Sequence, residues 1–305
     1  MRKIICTSQL FIVLISFCLA SNQSFSQTHF KCNSDSLYDD VMQNDSIFFE
    51  DENLMNLKIR DAFLNNTILS AKSGSSLLPE YTIPVVVHVI YDVDDQNNLA
   101  LNISYAQIES QIAKLNSIFA SIGTPTRYDS DIKFCLAKSP SNFFPTAEPG
   151  VIRYAVPNGA PNVYNFQETP AAFNDVYNML PIGFVKENYL NIFLVYNFAN
   201  NALNIGNYYG GHDVIFIKLG AFGDNEPNPG LYTLLPDLEK GFTAVHEVGH
   251  YLGLRHTFHG GCQGTNGPGQ TPDDCLLNGD NLCDTPPCTQ NFYQCTWNIP
   301  NSCNE

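Results

Sequence analysis

Positive charge is scarce in this sequence. Of its 305 residues, 15 are Lys or Arg and 30 are Asp or Glu, so the net charge is −15 at pH 7. A protein that binds nucleic acid or an anionic membrane surface needs a basic face to do so. The composition therefore predicts no nucleic-acid partner and no membrane partner, and it is silent on the oligomeric state.

Long apolar runs are also missing, and the nearest approach to one lies at the N-terminus. Arg2 and Lys3 precede an apolar run over 4–20, which polar residues interrupt, and the small polar tract SNQSFSQ follows. This arrangement predicts a secretory signal peptide over 1–26. A membrane anchor is the alternative, but the uninterrupted apolar stretch is too short to span a bilayer. We expect a secreted or extracellular protein, with the periplasm as the other location.

The next segment, 27–79, is polar and acidic, and its apolar residues are spaced as in short helices. It runs into AKSGSSLLPEY, a linker rich in small residues. A short segment joined by a cleavable linker to a larger domain is typical of a propeptide, and a simple N-terminal extension is the alternative. The main domain is expected over 80–305.

Apolar runs of strand length follow the linker, and their composition is that of strands buried on both faces. These runs are IPVVVHVIYDV (83–93), IKFCLA (132–137), YLNIFLVYNF (189–198) and HDVIFIKL (212–219). A helix is predicted after the first run because Ser104 can cap it and Gln107 takes the capping-box position; a second is predicted near residue 245. Such a pattern predicts an α/β fold in which helices cover a sheet. His88, inside the first run, is expected to be a core histidine with hydrogen-bond partners.

The stretch HEVGHYLGLRH places three histidines and one glutamate at regular intervals. Residues four apart on a helix lie one turn above each other, so His246 and His250 can direct their ring nitrogens at one ion. Gly253 permits the sharp turn that delivers His256 as a third ligand. Three imidazoles leave a fourth position for water, and Glu247 can serve as its general base. The spacing predicts a catalytic zinc site, because no fourth ligand for a closed structural site is evident.

HExxHxxGxxH is the metzincin signature, and GFTAVHEVGHYLGLRHTFHGGC followed by GDNLCDTPP resembles the pappalysin family, as found in secreted bacterial members. The resemblance covers about residues 80–300. It implies a metzincin-like catalytic domain over 80–305: an α+β zincin with a twisted, mostly parallel sheet and two main helices. It also implies a zinc-dependent endopeptidase whose protein or peptide substrate lies antiparallel along an exposed edge strand. His212–Leu219 is expected near that rim, and His259 is expected to be a surface residue.

The family places a methionine turn downstream of GDNLCDTPP, and none follows His256 here. The methionines are Met1, Met42, Met55 and Met179. We therefore expect a fragment with an incomplete C-terminal subdomain, and a truncated gene product is the alternative. The rival function is a catalytically inactive zinc-binding domain that lacks the floor of the site. A zinc amidase or deacetylase is less favoured, because Gly253 and His256 complete a peptidase-type motif.

Eight cysteines remain once the signal peptide is removed, which suits disulfides in an oxidising compartment. Six of them crowd the last 44 residues without a CxxC pair, so disulfides are favoured there over a second zinc site. Related proenzymes carry a cysteine in an Arg-Cys-Gly-like motif of the propeptide. The resemblance offers Cys32 as a zymogen zinc ligand, although Lys31 and Asn33 replace the expected neighbours. An ordinary disulfide of Cys32 with Cys135 or another partner is the alternative.

Zinc is thus the expected cofactor. Calcium is a second expectation, because Asp280 and Asp284 in GDNLCD match a stretch that binds calcium in some relatives. A solvated turn at these two aspartates is the alternative.

Overall fold

The structure is a computed structural model that describes residues 31–32, 81–120, 130–138, 143–145, 147–157, 165–199, 204–209, 214–259 and 280. The described strands are β1 (Lys31–Cys32), β2 (Tyr81–Asp92), β3 (Ile132–Leu136), β4 (Val151–Val156), β5 (Asn165–Phe166), β6 (Leu190–Val195), β7 (Asn197–Phe198), β8 (Asn204–Tyr209) and β9 (Val214–Lys218). The described helices are α1 (Tyr105–Phe119), α2 (Pro170–Met179) and α3 (Phe242–Tyr251). Within this described part, no helix is both long enough and apolar enough to cross a membrane.

Seven strands form one sheet in the order β1-β8-β9-β6-β2-β3, and β4 also pairs with β2. Every pairing in this sheet is parallel except that of β8 with β9. The remaining two strands, β5 and β7, pair with each other. The predicted α/β fold with a mostly parallel sheet is confirmed, and α2 adds a third helix to the two that were expected.

β2 is the central strand because both of its edges are hydrogen-bonded, one to β6 and the other to β3 and β4. Residues 85–92 of this strand are all buried. A continuous apolar run, without polar alternation, is what a strand covered on both faces requires. The run that predicted this strand therefore also indicated its place in the middle of the sheet.

Alternate side chains of the strands enter two different cores. On one face, here called the helix face, Val87, Ile192 and Ile217 pack with apolar residues of α1 and α3. On the other, here called the aromatic face, Phe193 and Phe216 pack with α2 and its neighbours. Stacked and edge-to-face rings dominate the second core, which suits the aromatic preference for offset geometry.

The N-terminus of α1 is capped as predicted, but Gln107 does not complete a capping box. The Ser104 hydroxyl accepts a hydrogen bond from the Gln107 backbone N–H at 3.1 Å. The Gln107 side chain instead donates from Nε2 to the carbonyl oxygen of Phe222, 2.8 Å away. The Gln107 side chain bonds the Phe222 carbonyl and not the helix N-terminus, because that carbonyl is buried beside α1 and needs a donor.

The strand expected near the rim in 212–219 is present. The strand in that segment is β9, Val214–Lys218, and β8 lies outside it. β8 turns back antiparallel along β9, and it is here called the edge strand because only the two-residue β1 of the leading segment lies outside it. The composition of β8, NIGNYY, concealed it, because Asn and Gly are depleted in strands.

The alternative of a disulfide between Cys32 and Cys135 is wrong. Cys135 is a free, exposed cysteine on β3, at the opposite end of the sheet from β1. Five strand spacings separate those ends, about 24 Å. A disulfide needs Cα atoms within about 7 Å of each other.

His88 is a core histidine, as predicted, and each of its ring nitrogens has a partner. Nδ1 lies 3.1 Å from the Tyr154 hydroxyl and Nε2 lies 3.0 Å from Oδ1 of Asn191. The ring also stacks on Phe193 with centroids 4.1 Å apart. Complete burial lowers the pKa of His88 from 6.5 to about 4, against a smaller opposing effect of the Asn191 hydrogen bond.

We expect His88 to make the fold acid-sensitive. Between pH 6.5 and pH 4 the unfolded chain binds a proton at this histidine that the folded chain excludes. Its contribution is therefore fully present above pH 6.5 and falls by about 3 kcal/mol as the pH drops to 4. The free energy of unfolding, measured in urea, should therefore fall between pH 6.5 and pH 4 by about 3 kcal/mol more in the wild type than in His88→Gln. Parallel pH profiles would contradict the assignment.

Candidate metal centre and active site

Three of the four motif side chains lie on α3, and the fourth follows a turn at its end. His246, Glu247 and His250 belong to the helix, which ends at Tyr251. Gly253 has φ +89°, a conformation that L side chains rarely adopt. There the Leu254 N–H donates to the Gly249 carbonyl at 2.9 Å and closes the helix C-terminus. The glycine turn predicted from the motif is confirmed, and it returns the chain toward the helix.

The three histidines converge on one point. Nε2 of His246 lies 3.0 Å from Nε2 of His250 and 3.0 Å from Nε2 of His256. Among the described residues these three form the one His/Cys/Asp/Glu group compact enough to hold a metal ion. Two nitrogens bound to one tetrahedral zinc at 2.0–2.1 Å would stand about 3.3 Å apart. The arrangement therefore fits a zinc ion with three imidazole ligands.

The orientation of two of these rings is fixed by their surroundings. Nδ1 of His250 lies 2.7 Å from the carbonyl oxygen of Leu254. A hydrogen bond from Nδ1–H to that carbonyl leaves the Nε2 lone pair for a metal. The ring of His256 stacks on Phe258, with centroids 4.8 Å apart. Leu254 and Phe258 were not predicted as site residues, because neither residue type signals metal binding.

Glu247 points away from solvent and toward the edge of the sheet. Its residue exposure is 1%, whereas His246 on the same turn is exposed. A Cβ built on Gly206 of β8 would stand 3.0 Å from Cγ and 3.1 Å from Oε1 of Glu247. The carboxylate therefore lies between α3 and the edge strand, next to the histidines without joining their cluster.

α3 is held against the helix face by its buried side. Ala244 and Val248 are fully buried there. The edge strand contributes Tyr208, whose ring meets that of Tyr251 edge to face at 6.0 Å. Since the buried and the ligand-bearing sides alternate along the same ten residues, packing of the helix sets the direction of the histidines.

Polar residues on the buried side of α1 hold the loop that leads into α3. Gln111 accepts from the Gly223 N–H at 2.8 Å and donates to the Gly241 carbonyl at 2.9 Å. Lys114 forms ion pairs with Asp224, at 3.5 Å, and with Glu226. Sequence reasoning missed these residues, although buried glutamines and a lysine at helical spacing are an unusual pattern that could have revealed them.

The described piece of the leading segment also reaches the site. β1 runs parallel to β8 on its outer edge, and Cys32 pairs with Gly206. Gly206, which lies against Glu247, is therefore also the residue that pairs with Cys32.

Other predicted residues stand apart from the triad. His259 is half-buried, and its N–H donates to the His256 carbonyl at 2.9 Å. Asp284 and the six C-terminal cysteines lie outside the described residues, so calcium at Asp280 and Asp284 and the disulfides stay predictions.

Comparison with known proteins agrees with this geometry. Residues 230–305 match the Peptidase_M43 family, described as Pregnancy-associated plasma protein-A. An extracellular metalloprotease of Pyricularia oryzae is 65% identical over 34 residues, which cover 11% of this chain and 11% of that protein. A second, from Sordaria macrospora, is 46% identical over 61 residues, 18% of this chain and 17% of that protein. The chain thus matches less than a fifth of the length of either relative.

One solved structure shares the fold over most of the chain. A promirolysin mutant from Tannerella forsythia is 24% identical, with a TM-score of 0.50, and the match covers 84% of this chain and 76% of that one. The predicted resemblance to pappalysin metalloproteases and the predicted fold class are confirmed by these matches.

We expect Gln111→Ala to destabilise the protein by about 2 kcal/mol, since it leaves a buried N–H and a buried carbonyl without partners. Glu109→Ala is the matched control, because Glu109 is exposed on the same helix. Chemical denaturation measures both changes. Equal stability of the two variants would show that the loop before α3 does not depend on Gln111.

Proposed function

We propose that this chain, whose C-terminal quarter matches the pappalysin metalloproteases, is the precursor of a secreted zinc-dependent endopeptidase. One observation carries the proposal: three imidazole nitrogens converge beside a buried glutamate that does not join them. This is the donor set of a catalytic zinc site, in which a fourth position stays open for the reaction. The names of the relatives, extracellular metalloproteases, support both the activity and the location.

His246, His250 and His256 would hold the zinc through Nε2. When bound, zinc polarises a carbonyl and lowers the pKa of a coordinated water. The hydrogen bond between Nδ1 of His250 and the Leu254 carbonyl would keep that ligand in its binding tautomer.

Glu247 is proposed as the general base. It takes a proton from the attacking water as the new C–O bond forms at the scissile carbonyl. The same carboxyl then gives the proton to the amine nitrogen as the C–N bond breaks. The low exposure of Glu247 suits this role, because a carboxylate shielded from bulk water is held in one orientation by its neighbours.

We place the substrate on the outer edge of β8. An extended peptide can add there as a further strand and use main-chain hydrogen bonds, while its alternate side chains enter pockets. Gly206 stands opposite Glu247 on this strand, so a peptide on the outer edge would pass beside the proposed base. A protein or peptide substrate follows from this arrangement.

The leading segment is proposed to be a propeptide, after a signal peptide over 1–26. Its described strand, β1, occupies the edge of β8 that the substrate would need. The pairing of Cys32 with Gly206 supports Cys32 as the residue that closes the zinc site in the precursor, because thiolate is a strong zinc ligand. The domain over 80–305 would then carry the catalytic machinery.

We expect Glu247→Ala to retain zinc and to lose hydrolysis by about 10³-fold, because it removes the base and no ligand. His250→Ala should lose the metal as well. Zinc content per molecule and cleavage of a denatured protein by the proteolytically trimmed chain measure both effects. The controls are Glu239→Ala, at an exposed glutamate, and His259→Ala, outside the triad.

Two outcomes would overturn parts of this proposal. Retained hydrolysis in Glu247→Ala would remove the general base. Zinc in the trimmed wild type without cleavage of any protein substrate would favour the rival function, an inactive zinc-binding domain.

Cys32→Ala is expected to make the uncut precursor active. Without the thiolate the fourth zinc position would be open, so cleavage of a substrate should precede removal of 27–79. The matched control is Cys135→Ala, since Cys135 is a free cysteine at the far end of the sheet. Latency should persist in that variant. A latent Cys32→Ala precursor would show that the segment blocks the cleft without this ligand.

A further inference from the structure

Gly206 is a glycine that its own backbone does not require. It is not among the residues with positive φ, so any L residue could adopt its conformation. Glycine inside a strand costs about 0.5–1 kcal/mol relative to alanine. Some neighbour must therefore need the space that a side chain would fill.

That neighbour is the buried side of α3. A Cβ at position 206 would stand 3.0 Å from Cγ of Glu247, 3.1 Å from its Oε1 and 3.2 Å from Cγ2 of Thr243. Carbon atoms in favourable contact lie about 3.5–4.0 Å apart. A methyl group here would overlap two different residues of the helix at once.

Glu247 would be the residue that moves. Thr243 lies one turn earlier on α3 and is branched at Cβ, which restricts its rotamers. The backbone of the helix is held by Ala244 and Val248 in the core and by Gln111 through Gly241. The Glu247 side chain has three rotatable bonds, so it can change its rotamer more readily than Thr243 or the helix backbone can move.

We infer that Gly206 is a positioning residue, whose missing side chain lets the Glu247 carboxylate lie against the edge strand beside the three histidines. The inference rests on the proposed function for its effect on catalysis, while the contact itself stands independently of any reaction. Position 206 acts through Glu247 and touches no reacting atom.

A methyl group at this position would displace the base and leave the binding edge in place. The outer edge of β8 pairs through main-chain groups, which a Cβ does not remove. The overlap requires Glu247 to move by a few tenths of an ångström, and a misplacement of 1 Å can cost about 10²-fold in rate. The loss should therefore fall on kcat, with KM and zinc content close to those of the wild type.

The first test is the kinetics of Gly206→Ala in the trimmed protein. We expect kcat to fall by about 3- to 10-fold, with KM within about twofold and zinc content unchanged. Gly249→Ala is the matched control, because a Cβ there meets one atom, Cδ1 of Leu254, at an ordinary 3.7 Å. An unchanged kcat in Gly206→Ala, or a loss confined to KM, would overturn the inference.

The second test needs no activity. Thermal unfolding is compared for the wild type, Gly206→Ala, Glu247→Ala and the double variant, each in apo and zinc-loaded form. Gly206→Ala should lower Tm by about 3 °C when Glu247 is present and should lower it less, or raise it, when Glu247 is alanine. Equal shifts in both backgrounds would refute the contact. If the wild type cuts no substrate, the proposed function fails, and this comparison still decides the role of Gly206.

Discussion

The packing of α3 against the helix face of the sheet is the constraint on which the site depends. Ala244 and Val248 anchor one side of this ten-residue helix in the core, and the opposite side is left to present His246 and His250. A rotation of the helix that exposed the alanine would also separate the histidines from His256. Because the helical period fixes the angle between the two sides, burial of the apolar side also sets the direction of the histidine ligands.

The position of α3 also depends on the loop that precedes it in the chain. Residues 222–241 contain no regular element, and backbone groups at both ends of this stretch are held by side chains of α1. Gln107 and Gln111 each bond a backbone carbonyl that would otherwise be buried without a partner. A helix distant in the chain therefore sets the position of α3, and its polar buried residues have a structural purpose.

The sequence predicted those parts of the molecule whose signals are local and periodic. The central strand, the capped helix α1 and the motif turn at Gly253 were readable because each depends on its own residues. β8 was not readable, because its Asn and Gly residues are poor strand formers that the pairing with β9 tolerates. The contacts of Gln111 and Leu254 depend on residues brought together only by the fold. The contact between Glu247 and Gly206 also joins residues that only the fold brings together.

The direction and the composition of β8 have a consequence for the segment that lies beside it. β8 and the two-residue β1 beside it run against the other strands of their sheet, and three of the six residues of β8 are Asn or Gly. Along any strand the main chain offers hydrogen bonds to an extended segment that lies beside it. Any extended segment can satisfy those bonds about equally well. Pairing on this side of β8 therefore depends on the extended shape of the neighbouring segment and little on its side chains.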